Sequence, residues 1–219
     1  MSLAQRKPTM TAAEFLDWVQ HQEGFWEFDG HGPVPRGGAP HAMTGGTSDH
    51  SAIGTNLAVA LGRRLRGRPC RFYNGDLGVA TGPGPVRYPD GSVVCRPVPR
   101  GTLAVPDPVV VFEVLSPSTQ RTDRVRKLAE YGATPSVLRY VLLEQEEAAA
   151  TVLSRPDGGS EWTARVVGPG GTLDLPEAGL SVPLDELYEG VRFDDDGPAA
   201  EATAAPAADA PPPPPPGTG

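Results

Sequence analysis

The stretch Val109-Val110-Val111-Phe112-Glu113-Val114-Leu115 decides how the rest of the chain is read, and Pro106-Asp107-Pro108 and Ser116-Pro117-Ser118-Thr119 set it off on either side. Branched and aromatic residues follow one another without polar alternation, which predicts a strand buried on both faces of a sheet. Glu113 interrupts this run. An unpaired carboxylate inside such a strand would cost several kcal/mol, so the position calls for a cation. That cation is a metal ion or a basic side chain. The alternative is a strand end open to solvent, with Glu113 pointing outward.

Working toward the N-terminus, Thr11 and Glu14 form a capping-box pattern ahead of a helix from Ala12 to about Gln22, with Phe15, Trp18 and Val19 on its apolar face. Phe25-Trp26-Glu27-Phe28-Asp29-Gly30 alternates into a turn, the pattern of a hairpin, and His31 to Gly46 reads as an irregular Gly/Pro-rich loop. A second helix is expected from about Ser48 to Leu65, because Ile53, Leu57, Leu61 and Leu65 recur every four residues. Strands are expected near Arg71–Tyr73, Leu77–Ala80 and Gly91–Cys95. After the central strand, Pro117-Ser118-Thr119 opens a third helix over about Thr122 to Tyr131, ended by Gly132. Strands at Arg139–Leu143, Ala150–Ser154 and Glu161–Val167 follow, with a short closing segment near Leu184 to Tyr188. The order suits an α/β (α+β) domain over residues 8–193, built on a mixed central sheet flanked by helices.

The chain has 219 residues and a hydrophobic fraction of only 38%. The deficit is concentrated at the end, where Asp194-Asp195-Asp196 leads into Ala/Pro repeats and the run Pro211 to Pro216. Residues 194–219 are therefore expected to form a disordered, partly polyproline-II tail that could dock on a protein partner. A net charge of −8 argues against a general nucleic-acid coat protein, although charge can be local. Arg63, Arg64, Arg66, Arg68 and Arg71 cluster without an acid, and Arg121, Arg124, Arg126 and Lys127 form a second basic group. The plain explanation of each is a solvated helix face, and arginines also suit the C-terminal end of the second helix. Cys70 and Cys95 are isolated in sequence, with no CxxC pair, which favours a reducing compartment. The N-terminus shows no signal-peptide pattern and no stretch is long enough to span a bilayer, so a cytoplasmic protein without membrane contact is expected.

Two further residues could act with Glu113. Asp90 follows Pro89 at the start of an expected strand, and neighbouring strands could bring it within reach of the same ion as Glu113. Two acids completed by water and substrate oxygens suit Mg²⁺, which keeps much of its hydration shell. Taken alone, Pro89-Asp90-Gly91 is an ordinary turn tripeptide. Lys127 lies to one side of the third helix, where it could pair with Asp123 at the surface or lean over the sheet edge to stabilise charge on a phosphate.

The string Phe112-Glu113-Val114-Leu115-Ser116-Pro117-Ser118-Thr119, followed by Asp123, Lys127 and Tyr131, resembles the signature of the Uma2 family, also called DUF820. Pro89-Asp90, Glu27-Phe28-Asp29-Gly30 and His50 fall in matching order, and the resemblance runs from about Pro8 to Val191. Uma2 proteins are similar to the PD-(D/E)XK restriction-endonuclease-like superfamily. The resemblance implies a restriction-endonuclease-like core in which Asp90 and Glu113 hold Mg²⁺ (or Mn²⁺). Leu115 stands where that superfamily carries its lysine, so the resemblance implies that Lys127 takes over its role. It also implies Glu27 as an additional catalytic acid and the Val114 carbonyl as a further metal ligand. This chain departs from the family at Arg139-Tyr140-Val141, where a Tyr-Trp pair is usual, and Asp107 competes with Asp90 as the acid after a proline.

Two functions follow as expectations. The first is a metal-dependent endonuclease hydrolysing phosphodiester bonds of nucleic acid, with DNA as substrate and Arg63, Arg64, Arg66 and Arg124 meeting phosphates. A homodimer would suit double-strand cleavage. The second is a catalytically inactive nucleic-acid- or protein-binding module of the same fold. No phosphate-binding loop of the Gly-rich Lys-Ser/Thr type, no Gly-x-Ser-x-Gly elbow and no zinc-protease histidine spacing occurs.

Overall fold

The structure, a computed structural model, describes residues 10–35, 47–81, 84–115, 121–155 and 158–193, and the side chains of 121–124 are outside that description. The tail from Asp194, the segment 36–46, and Ser116 to Thr119 of the family string therefore lie outside the described residues.

In chain order the first half contains α1 (Ala12–Val19), β1 (Trp26–Phe28), β2 (Pro33–Pro35), α2 (Ser48–Arg64), β3 (Arg71–Asn74), β4 (Gly78–Ala80), β5 (Val86–Arg87), β6 (Gly91–Val94) and β7 (Ala104–Val105). The second half contains β8 (Val110–Val114), α3 (Arg121–Gly132), β9 (Arg139–Leu143), β10 (Ala150–Ser154), β11 (Thr163–Val167), β12 (Thr172–Leu175), β13 (Leu180–Pro183) and α4 (Leu184–Leu187). The largest sheet has the order β11-β10-β9-β8-β6-β3. Within it β8 runs parallel to β9 and antiparallel to β6, so the sheet is mixed, as expected.

All five residues of β8 are buried, as their unbroken apolar run predicts. The strand divides its side chains between two cores. Val110, Phe112 and Val114 pack with Ile53, Leu57 and Leu61 of α2. Val111 packs with Tyr131 of α3 and with Val137 and Tyr140. The four-residue spacing on α2 thus marks the stripe that covers one face of the sheet, each fully buried Leu or Ile contributing about 1.5–3 kcal/mol. A smaller sheet, β2-β1-β5-β4-β7, packs on α1 around Phe15, Phe28 and Val86.

The capping box of α1 is present, with Thr11 accepting from the Glu14 N–H. The helix stops at Val19, short of Gln22, because the His21 and Gln22 N–H groups turn back to carbonyls only three residues earlier. The stretch expected to be irregular after His31 contains β2, which pairs with β1 to complete the hairpin. Strands β5, β7, β12 and β13 had no readable pattern, since pieces of two to four residues are too short to show a period.

The two cysteines require a correction. Cys70 and Cys95, isolated in sequence, are joined as a disulfide. Antiparallel pairing of Arg71 with Val94 carries Cys70 opposite Cys95, a proximity that linear spacing does not reveal. The expected result is that the denatured, unreduced protein shows no reactive thiol to Ellman's reagent and shows two after reduction. Two thiols before reduction would refute the pairing. Among the described residues, no helix is long and apolar enough to cross a membrane.

Candidate active site

Strand register builds the site. Gly91 of β6 pairs with Phe112 of β8, so Asp90, one residue before, stands opposite Glu113, one residue after. Asp90 lies just outside β6, and its side chain continues the ladder there. Its Oδ2 accepts the Val114 N–H at 2.7 Å. The Nε2 of His50 lies 3.4 Å from the same oxygen. His50 sits in the first turn of α2, where its backbone N–H donates to the side chain of the N-cap Thr47. The 17-residue helix therefore presents its N-terminal end to Asp90.

Glu113 is buried, with 8% of its surface exposed, which decides against the outward-pointing alternative. Its carboxylate receives two donors from consecutive turns of α3. Lys127 Nζ and the Tyr131 hydroxyl each lie 3.2 Å from it. Lys127 thus leans over the sheet rather than into solvent, with 13% of its side chain exposed. The Asp123 side chain, its surface alternative, lies outside the described residues. Burial pushes the Tyr131 hydroxyl well above the ordinary tyrosine value, and the nearby Glu113 charge pushes it further. A raised value keeps the phenol protonated until strongly alkaline pH, so Tyr131 remains a donor throughout the neutral range.

Glu27, on β1, is also buried, but its Oε2 is 2.9 Å from Arg87 of β5. Arg87 in turn grips Glu130 of α3 with two bonds of 2.6 and 2.7 Å. Arg126 reaches the Glu130 carboxylate at 3.0 Å and the Asp29 carbonyl at 2.9 Å. Burial disfavours the charge on Arg87, but Glu130 and Glu27 outweigh it and hold the guanidinium well above its ordinary value. Glu130 directly precedes Tyr131, whose hydroxyl donates to Glu113, so this cluster adjoins the Glu113 site along α3. Sequence reasoning missed Arg87 because β5 has two residues within a Gly/Pro-rich stretch. The available signal was a lone arginine between Val86 and Tyr88.

Arg63 and Arg66 are exposed, while Arg64 binds Glu186 at 2.6 Å and the Ala60 carbonyl at 3.2 Å. This cluster lies at the far end of α2 from His50, about 20 Å along the helix axis at 1.5 Å per residue. The Arg124 side chain lies outside the described residues. Asp107 forms an ion pair with Arg96, leaving Asp90 as the acid opposite Glu113. Tyr140 of β9, within the Arg139-Tyr140-Val141 stretch that departs from the family, packs its ring at a tilt against Tyr131 with the centroids 5.0 Å apart.

Among the described residues no group of three or more His, Cys, Asp or Glu side chains is placed to hold a metal ion. The donor set is two carboxylates, Asp90 just before β6 and Glu113 on β8, placed opposite each other by the strand register. Such hard oxygen donors fit a divalent cation that keeps most of its water, and do not form a closed protein cage.

The comparisons agree with this architecture. The Uma2 family model, described as "Putative restriction endonuclease", matches residues 12–185. The chain is 31% identical over 189 residues to uncharacterized protein slr1290 of Synechocystis sp. strain PCC 6803, covering 85% of this chain and 95% of that one. A crystal structure of a protein from Anabaena variabilis ATCC 29413, described as a putative nuclease belonging to DUF820, superposes with a TM-score of 0.63. Its identity is 20%, and the match covers 82% of this chain and 98% of that one, so the two share a fold. The match of the family model over residues 12–185, together with the 31% identity to the Synechocystis relative over nearly its whole length, shows that this chain belongs to the Uma2 family.

Proposed function

We propose that this protein is a divalent-metal-dependent endonuclease that hydrolyses phosphodiester bonds in DNA. The observation that carries this reading is the pairing of Lys127 with the buried Glu113 carboxylate, directly across the β6–β8 ladder from Asp90. Asp90 and Glu113 would hold Mg²⁺ or Mn²⁺. A bound divalent ion would supply activation of the attacking water and neutralisation of phosphate charge. Lys127, a point charge beside Glu113, stabilises negative charge developing on the phosphate. Tyr131 orients the Glu113 carboxylate by its hydroxyl. Glu27, held by Arg87, would assist as the additional acid from β1. Exposed Arg63 and Arg66, with Arg64 and Arg124, contact phosphates away from the scissile bond, and a homodimer would serve two strands.

The test is plasmid and oligonucleotide cleavage by the full chain with Mg²⁺ or Mn²⁺. Glu113→Gln and Lys127→Ala are each expected to reduce cleavage about a hundredfold, with the fold retained by circular dichroism. Cleavage that persists in both variants would exclude this site. Binding of DNA without cleavage by the wild-type protein would favour the non-catalytic module, a reading supported by the net charge of −8.

A further inference from the structure

A closed circuit of contacts surrounds Asp90 and passes through a residue that the sequence analysis did not single out. Gln145 lies two residues beyond the end of β9, where the Leu115 N–H donates to the Leu143 carbonyl at 2.8 Å. That contact brings the two strand ends together. The Gln145 Nε2 donates to the Leu115 carbonyl. Its Oε1 accepts the Thr47 hydroxyl at 2.5 Å. Thr47 Oγ1 in turn accepts the His50 N–H at 3.1 Å. His50 reaches Asp90, and Asp90 accepts the Val114 N–H, so the circuit returns to the peptide next to Leu115.

We propose that Gln145 is a positioning residue, tying the N-cap of α2 to the end of β8 and thereby holding His50 against Asp90. The chemistry of the link needs an amide. Leu115 offers only an acceptor, while Thr47, whose oxygen already serves the His50 N–H, offers its own hydrogen. Only a group that donates at one end and accepts at the other satisfies both. An ionised glutamate lacks the donor, and methionine keeps the length with neither function. Asp90 sits one residue before β6, where the Val114 N–H fixes Oδ2 from the β8 side and His50 meets the same oxygen from α2, so a shift of the α2 N-cap acts on this carboxylate directly. The consequence for metal binding rests on the nuclease reading above. The mechanical link does not.

The experiment measures amide hydrogen exchange at His50 and Ser51 and Mn²⁺ affinity by calorimetry in the full chain, for wild type, Gln145→Met, Thr47→Val and the double variant. Gln145→Met is expected to speed exchange at His50 about tenfold, as loss of one hydrogen bond does, and to weaken Mn²⁺ binding about tenfold. In the Thr47→Val background it should add nothing, because the circuit is already cut. Unchanged exchange, or fully additive effects in the double variant, would overturn the link. Faster exchange with unchanged Mn²⁺ affinity would reduce Gln145 to a structural residue and overturn the positioning role. A wild-type protein that binds no Mn²⁺ would remove the nuclease reading, and exchange at His50 would then decide the link alone.

Discussion

Arg87→Ala lowers the unfolding free energy by about 3–5 kcal/mol, the cost of breaking a buried ion cluster from one side. Arg87 is 2% exposed, and its guanidinium binds Glu130 twice and Glu27 once. Its removal leaves the buried Glu27 and the largely buried Glu130 without the guanidinium they share. Among the described residues neither has another cation of equal burial, since Arg126 is nearly half exposed. The variant loses more than charge, because the cluster joins β1 and β5 of the smaller sheet to α3 of the larger. Equilibrium urea unfolding measures the loss. Arg87→Met with Glu27→Gln and Glu130→Gln should recover much of it, since neutral amides remove the repulsion. A loss below about 1 kcal/mol for Arg87→Ala would mean that water reaches the carboxylates and that the cluster is not a buried one.

Gly91→Val is the second large effect, with an expected loss of about 3 kcal/mol, at the upper end of the cost of overpacking a core. A Cβ at position 91 would lie 2.5 and 2.7 Å from two ring carbons of Phe72 and 3.4 Å from Leu57. The ring cannot swing aside easily. Phe72 packs on Phe112 at 6.3 Å, and Phe112 is fully buried beneath α2. The strand β6 must therefore move. Because Asp90 is the next residue, that movement shifts its carboxylate away from the Val114 N–H, and the expected cleavage falls along with stability. Thermal unfolding reports the first effect and the cleavage assay the second. A variant as stable as wild type would show that the Phe72 ring relocates freely. A Phe72→Leu change added to Gly91→Val should restore part of the stability, because it removes the two clashing ring carbons.

Much of the larger core was legible in the residues. The unbroken apolar run around Glu113 specified a strand buried on both faces, and the spacing of Ile53, Leu57 and Leu61 specified the helix that covers one of them. The capping box of α1 was readable because it is a contact between residues three apart. The same locality explains what was missed. The short strands β5 and β7 form only because neighbouring strands offer hydrogen-bonding edges, so their own residues carry no period. Cys70 and Cys95 meet through strand pairing across 25 residues, and the spacing of two cysteines alone cannot distinguish that from two free thiols.

The candidate site divides along the same line. By itself the sequence determined that Glu113, if buried with its strand, needed a cation, because desolvating a carboxylate among apolar neighbours is costly; the fold supplied the burial. The sequence did not determine which cation. Lys127 and Tyr131 were ordinary helix residues until tertiary packing laid α3 across β8 and brought both to the Glu113 carboxylate. Asp90 was an ordinary turn residue until the β6–β8 register set it opposite Glu113. Glu27 looked like a free acid until β5 supplied Arg87, and Gln145 carried no signal until the ends of β8 and β9 met beside Thr47. Burial follows from composition along a few residues, whereas a partner for a charge depends on which distant segment packs against it. Only the folded chain supplies that.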